Sequence, residues 1–499
     1  MKRLLEDAKQ LIKIRSVSGD GNEEIANFVS TMMTDRGLRS TLQQVTHSFE
    51  GVSKRQFNVV GVLGDPLVDR KIRKGLLLST HLDTVTPGLL TGWTETGGDP
   101  FQAVVRDGKI FGLGSADGKL DFLCKLRAVT KFREKKLRMP LYLVGSCGEE
   151  LGNFGIKYLI KSNILNPSYV AVGEPSELKV VFEHKAVNTF KLTIDYQQIE
   201  RDARGFNRRI DLHTFGRSAH GAFPEKGVNA IHEGVNFVDR TIESGFDLRF
   251  TYFEGGDTVS KVPDHSLIQF YLTSHQFEDF KRFFREVAKP DAAVDPTLPR
   301  SSFRVEFGGA GDTGIRFLPD TLFPCFLEVL RFFTISAEEL TKSRDDAYRP
   351  PYSSLNFGRL IQKPGRLELQ FDARFLPGTF AEEMEKTVQQ GVQKIAASYP
   401  SLNINFGRVK LNSGLQMNAE QPLILKCREA MAAAGMEPHF DKQSSSSEAA
   451  QFFQAGYEAI GFGPGLSGGN AHGPNEHVLI EELEKAVLFY EKLIEKTCI

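Results

Sequence analysis

Apolar residues recur at helical spacing from the start of the chain: Leu4, Leu5, Ala8, Leu11 and Ile12 fall on one face. After a Gly-rich turn, the run GNEEIANFVSTMMTDRG reads as a second helix that stops at Gly37. Further on the pattern alternates. GLLLST (75–80) reads as a strand, and LDFLCKLRAVTKF as a helix with Leu123, Leu126, Val129 and Phe132 on one side. LYLVGS (141–146) is again strand-like, IKYLIKS helical, and YVAVG (169–173) a short apolar strand. Uninterrupted apolar runs separated by amphipathic helices imply an α/β domain: a mostly parallel sheet flanked by helices.

Beyond Lys185 the texture changes to longer polar and β-branched segments, KLTIDYQ and RRIDLHTF, followed by a helix near VNAIHEGVNFVDRTI. LRFTYFEGG and SLIQFYLTS read as strands, and the Pro-rich KPDAAVDPTLPR (289–300) as a connector. A second cluster of similar make-up follows, with RLELQFDARFL as a strand and FAEEMEKTVQQGVQKIAASY as a helix whose Met384, Val388, Val392 and Ile395 share a side. Near Asn412 the first texture returns, with EAIGFG (458–463) as a strand and a closing helix whose inner face is Leu483, Val487, Tyr490 and Ile494. The expected organisation is a catalytic domain over 1–184 and 412–499, interrupted by an α+β insert over 185–411 with two related halves.

A chain of 499 residues is long enough for two or more cores. Lys plus Arg at 62 against Asp plus Glu at 63 leaves a net charge of −1, which gives no nucleic-acid footprint and no basic surface for an anionic membrane. The five cysteines are scattered without a CxxC pair, which argues against a disulfide framework or thiolate zinc site. With an opening segment that is charged throughout and no run of 18 apolar residues, the expectation is a soluble cytoplasmic protein.

In open α/β sheets, ligands bind outside the carboxyl ends of the strands. One kind of residue gathers there. GLLLST runs into His81 and Asp83, LYLVGS into Glu149 and Glu150, YVAVG into Glu174, and EAIGFG through a Gly-rich loop to His472. IFGLGSAD delivers Asp117 from another Gly-rich loop. Taken singly, each is an ordinary loop-end charge. Converging on one sheet edge, so many carboxylates repel unless cations sit among them. Two His and several carboxylates suit a pair of divalent ions sharing a bridging carboxylate, and donors of nitrogen and oxygen without thiolate favour zinc, with cobalt or manganese as substitutes. In the Glu149-Glu150 pair one residue can ligate while the other serves as base.

HLD at 81–83, GLGSADGKLD at 112–121, CGEELG at 147–152, GEPS at 173–176 and AHGPNE at 471–476 together resemble the ordered signature of one family. It is the co-catalytic zinc metallopeptidase family of acetylornithine deacetylase, succinyl-diaminopimelate desuccinylase, glutamate carboxypeptidase and the cytosolic dipeptidases. The resemblance implies that His81 and His472 each bind one ion, Asp117 bridges, Glu150 and Glu174 complete the two ligand sets, Asp83 orients His81, and Glu149 is the general base. FGRSAHGAFPEKGVNAI resembles the lid segment whose His polarises the scissile carbonyl, pointing to His220, and LQFDARFLPG the lid strand whose Arg grips the substrate carboxylate, pointing to Arg374. Asn356 is a further candidate for that pocket, and Gly463 and Gly465 of GFGPG offer backbone donors near it, while Asn229 belongs to the start of the following helix.

Two departures stand out. FEGGDTVSKVPDHSLIQFYLTS resembles the lid strand pair without its terminal Arg, and SSLNFGRLIQKPGRLELQFDARFLPG repeats the theme with Arg374 present. Such doubling resembles the enlarged lids of monomeric dipeptidases, and points to a monomer working in cis, with a homodimer as the alternative. In SSSSEAAQF, Glu448 stands where relatives commonly carry Asp. The function expected is hydrolysis of an amide bond beside a free carboxylate, as a carboxypeptidase or an N-acyl-amino-acid deacylase acting on a small peptide or N-acyl amino acid; Glu at 174 favours it. A cytosolic dipeptidase is the alternative, and a non-catalytic binding protein of the same fold a third.

Overall fold

The computed structural model describes residues 2–49, 52–65, 67–68, 71–72, 74–197, 199–200, 205–287, 302–310, 315–378 and 381–499. The connector expected at 289–300 lies outside the described residues. Two compact units emerge, Met1–Lys185 with Asn412–Ile499, and Ala186–Leu411.

The first stretch forms helices α1 (Lys2–Lys13) and α2 (Glu23–Asp35), then strands β1 (Arg39–Phe49), β2 (Val52–Leu63) and β3 (Gly75–His81). Helix α3 (Lys119–Thr130), β4 (Leu141–Ser146), α4 (Phe154–Ser162), β5 (Pro167–Val172) and β6 (Val180–His184) follow. The second unit holds β7 (Ala186–Asp195), β8 (Phe206–Phe215), α5 (Ala230–Glu243), β9 (Arg249–Gly255), β10 (His265–Thr273), α6 (Ser274–Val287) and β11 (Ser302–Ala310). It continues with α7 (Leu322–Leu340), β12 (Ser354–Lys363), β13 (Arg366–Phe375), α8 (Ala381–Ser398) and β14 (Asn403–Asn412). The chain then adds β15 (Leu415–Gln416), α9 (Pro422–Ala433), β16 (Phe440–Gln443), α10 (Ala449–Gln454), β17 (Glu458–Gly461) and α11 (Ile480–Cys498) to the first unit.

The first unit is built on a nine-stranded sheet of order β1-β2-β4-β3-β5-β17-β6-β15, with β16 beside β6. Its four central strands, β4, β3, β5 and β17, are mutually parallel. Antiparallel pairs flank them, beginning with the hairpin β1–β2, whose short connection cannot carry a parallel crossover. Every residue of β3 is buried, and Leu76, Leu77 and Leu78 are wholly enclosed, each contributing about 1.5–3 kcal/mol by burial. Helices α3 and α11 pack on each other and on β3, with Leu483, Val487, Tyr490 and Ile494 turned inward. The five cysteines are free and buried. No helix among the described residues is long and apolar enough to cross a membrane.

The second unit carries an eight-stranded sheet of order β11-β8-β10-β9-β12-β13-β7-β14. It resolves into two βαββαβ halves of the same spatial order. One half is β8-α5-β9-β10-α6-β11; the other is β7-α7-β12-β13-α8-β14, with the first half spliced between its β7 and α7. The halves meet where β9 pairs with β12, Glu254 opposite Ile361 and Gly255 opposite Leu360. Aromatic stacking fills their core: the rings of Phe333 and Phe371 lie 4.0 Å apart, and those of Phe250 and Phe323 4.8 Å.

Candidate metal centre

His81 is the last residue of β3, where the strand leaves the sheet, and is 1% exposed. Its Nε2 lies 2.8 Å from Asp117 Oδ1. The other oxygen of the same carboxylate, Asp117 Oδ2, lies 3.1 Å from Nε2 of His472, and that nitrogen is also 3.1 Å from Glu150 Oε1. One carboxylate thus spans two imidazoles. Ligand atoms of Asp117, Glu150 and His472 all fall within 4.8 Å of one another.

The imidazole of His81 is oriented through Asp83, with a difference from expectation: Nδ1 meets the Asp83 backbone carbonyl at 3.0 Å, whereas the carboxylate stands 3.8 Å away. That carboxylate is engaged elsewhere. It accepts from Ser18 Oγ and from the backbone N–H groups of Glu149 and Glu150, both at 3.3 Å, and so fixes the turn that carries them. Glu174 follows β5 after a single glycine; its Oε1 is shut off from solvent and has no hydrogen-bond partner among the described residues.

Charge is crowded here. Burial, with Glu149 and Asp117 nearby, raises the Glu174 carboxyl well above its ordinary range. Burial alone lowers the affinity of His81 for a proton, but Asp117 overrides it and holds the imidazole well above the usual value. His472 keeps half its side chain open to solvent; partial desolvation opposes its charge, yet Glu150 and Asp117 push it up to about 12. Burial favours a protonated Asp117, and the two imidazoles prevail and hold it well below the carboxylate range. The acidic cluster therefore favours positive charge among its carboxylates. Nitrogen and oxygen donors, a shared carboxylate and an unpartnered sheltered oxygen on Glu174 fit divalent cations.

Two acidic residues without an assigned role in the sequence reading belong to this region. Glu476 is buried, accepts from the N–H groups of Gly114, Ala116 and Asp117 at 3.0, 2.8 and 2.9 Å, and so anchors the loop that presents the Asp117 carboxylate. Burial raises it to about 7 against those three donors. Glu448 is fully buried, accepts from Ser146 Oγ at 2.9 Å, and is raised to about 8, chiefly by burial. Glu476 closes the AHGPNE stretch, but no local signal shows what it holds, because its partners lie some 360 residues earlier in the chain.

Gly463 and Gly465 do not present open donors. The Gly463 N–H is taken by Ser176 Oγ at 3.0 Å and that of Gly465 by Glu482 Oε2 at 2.7 Å, because the turn after β17 is tied to its own neighbours.

In the second unit, His220 is exposed, and the N–H of Ala222 donates to its Nδ1 at 3.2 Å, which leaves the proton of the neutral ring on Nε2. Arg374 is 7% exposed and its Nε donates to Asp372 Oδ2 at 3.2 Å, two residues back on the same face of β13. That carboxylate lies beneath Gly221, where a Cβ would sit 2.8 Å from Asp372 Oδ2, so only glycine lets the His220 loop approach. Asn356 is buried and donates to the carbonyls of Val259 and Lys261 at 3.1 and 2.8 Å; its side-chain amide holds the 256–264 loop. Asn229 caps α5, accepting from Ile231 and His232. The alternation D-A-R within β13 is the signal by which Asp372 can be found in the sequence.

Acetylornithine deacetylase of Photorhabdus laumondii subsp. laumondii is 27% identical over 285 residues, 52% of this chain and 64% of that protein. The chain thus spans somewhat less than two thirds of the length of the curated relatives it matches. Among solved structures, an aminoacylhistidine dipeptidase from Vibrio alginolyticus has a TM-score of 0.63 at 17% identity, covering 98% of this chain and 96% of its own. The metallo-carboxypeptidase Sso-CP2 of Sulfolobus solfataricus has a TM-score of 0.58 at 17% identity, covering 99% of each chain. At such identities these structures share the fold. The description peptidase family M20/M25/M40 matches residues 77–496, from within β3 to the last helix, and the chain belongs to that family.

Proposed function

We propose that the chain is a two-metal hydrolase that cleaves an amide bond next to a free α-carboxylate, as a carboxypeptidase or an N-acyl-amino-acid deacylase. The observation that carries this reading is Asp117, one carboxylate held between the ring nitrogens of His81 and His472 with Glu150 beside it. His81, Asp117 and Glu174 would hold one cation; Asp117, Glu150 and His472 would hold the other. Zinc suits the donor set best. When bound, the ions supply Lewis acidity toward the amide carbonyl and toward water.

The chain's own residues do the rest. Glu149 takes the proton released as water attacks, and delivers it to the nitrogen as the C–N bond breaks, so that the amine leaves neutral. His220, with its proton on Nε2, is suited to donate to a developing oxyanion. Arg374, held in place by Asp372, is suited to fork onto the substrate carboxylate.

A dipeptidase is the second reading, and the doubled βαββαβ half of the second unit favours it. The two are separated by rates on N-acyl amino acids and on dipeptides with free amino termini, with zinc, cobalt or manganese added. Faster turnover of the acylated set is expected. Exclusive turnover of free dipeptides transfers the assignment to the second reading.

A further inference from the structure

Beneath the ligand-bearing strand ends lies a buried ion pair that the chemistry above does not use. Asp121 and Lys125 stand one turn apart on α3, both enclosed, with Nζ 2.8 Å from Asp121 Oδ2. Lys125 also donates to the Ser79 carbonyl at 2.5 Å and to Thr80 Oγ1 at 2.9 Å, while Thr80 Oγ1 donates to Asp121 Oδ2 at 2.7 Å. Tyr490 of α11 donates to Asp121 Oδ1 at 2.6 Å. Burying such a pair costs desolvation, and apolar residues of equal volume are often as stable, so stability alone does not account for it.

Its contacts do. Thr80 immediately precedes His81, and Gly173 immediately precedes Glu174. A Cβ on Gly173 would lie 2.0 Å from Asp121 Oδ2 and 2.6 Å from Thr80 Oγ1, so the backbone just before Glu174 rests directly on this carboxylate. The Gly173 N–H donates at 2.7 Å to the Ser79 carbonyl, the same oxygen that receives Lys125. Both strand ends are thus pinned to one helix, and that helix starts two residues after Asp117. Glu150 is held differently, by the Asp83 carboxylate, and the loop bearing His472 is held by Asn470, which accepts from the His477 N–H at 3.0 Å and donates to the His477 carbonyl at 2.8 Å.

We propose that Asp121 and Lys125 are positioning residues that set His81 and Glu174 as ligands of one cation, while the cation on Asp117, Glu150 and His472 does not depend on them. The inference rests on the two-metal reading above. Its test is a calorimetric zinc titration of the metal-stripped full chain against a competing chelator, for wild type, Asp121→Asn, Lys125→Met and the charge-free double variant. Wild type takes up two equivalents. In each variant one equivalent weakens tenfold or more and the other stays within twofold. The double variant, which leaves no unpaired buried charge, keeps the test open if a single variant fails to fold, and metal-free melting curves report that directly. Equal weakening of both equivalents, or of neither, in a folded variant overturns the proposal. Fewer than two equivalents in wild type overturns the two-metal reading itself, and this inference with it.

Discussion

Glu149 and Glu150 share a turn that Asp83 holds by its backbone, yet it is Glu150 whose carboxylate reaches His472. On the proposed division of labour, replacing Glu149 by Gln removes a proton acceptor and leaves the group of Asp117, Glu150 and His472 intact. Turnover is expected to fall by about 10²–10⁴-fold, with two metal equivalents retained by elemental analysis. Wild-type turnover in this variant contradicts the assigned role. A different single residue sets a pH response of the fold. His184, at the end of β6, is buried with Nδ1 on the Lys185 carbonyl and Nε2 near Ser447 Oγ at 3.1 Å; burial lowers it to about 4. Its folded-state affinity for protons lies below that of the unfolded chain, so between pH 6.5 and 4 the unfolded state binds more protons and stability falls with acid. The contribution is about 3 kcal/mol at most, fully present above pH 6.5. Denaturant melts at pH 7 and pH 4.5 should therefore show a smaller pH difference for His184→Gln than for wild type.

At the scale of elements, the loop 112–118 has no regular structure of its own, and its conformation is imposed by the three N–H groups that converge on Glu476. Glu476→Ala leaves those donors buried without a partner at a cost of at least about 2 kcal/mol, and frees the backbone of Asp117. The expected result is a lowered melting temperature together with weaker binding of both cations, since Asp117 is shared; an unchanged melt and unchanged zinc affinity would show that the loop holds itself. This contact also marks where the sequence stops being readable. β3, β4, β5 and β17 are legible because central parallel strands are uninterrupted apolar runs, and their carboxyl ends carry the ionisable residues in plain view. The hairpin β1–β2 is not: β1 lies at the sheet edge, and RSTLQQVTHSF has neither an apolar run nor a clean alternation. Donors expected from Gly463 and Gly465 fail because Ser176, remote in sequence, and Glu482, in the helix that follows, take them. Local pattern shows which residues end at the strand tips; which of them hold one another depends on pairings from tens to hundreds of residues apart.

At the scale of the molecule, the second unit is a sheet made of two equivalent halves joined edge to edge. The two strand pairs of the second unit are recognisable in the sequence as repeats of one theme, whereas the splice of one half between β7 and α7 follows from the strand order alone. Each half presents its second strand, β9 or β12, at the join, so each covers the edge that a second chain would otherwise have to satisfy. The outer edges, β11 and β14, bear Arg304, Glu306, Arg408 and Lys410, charges of the kind that discourage edge-to-edge pairing. Phe307 and Val409 are exposed on those strands, but Phe307 packs edge-on against Phe277 at 5.3 Å, and single apolar residues fall far short of the few hundred Å² that mark an association surface. The chain is therefore expected to sediment at micromolar concentration as one species of 55.7 kDa, with or without zinc. A species of twice that mass would mean that the internal pairing of β9 with β12 does not replace a partner.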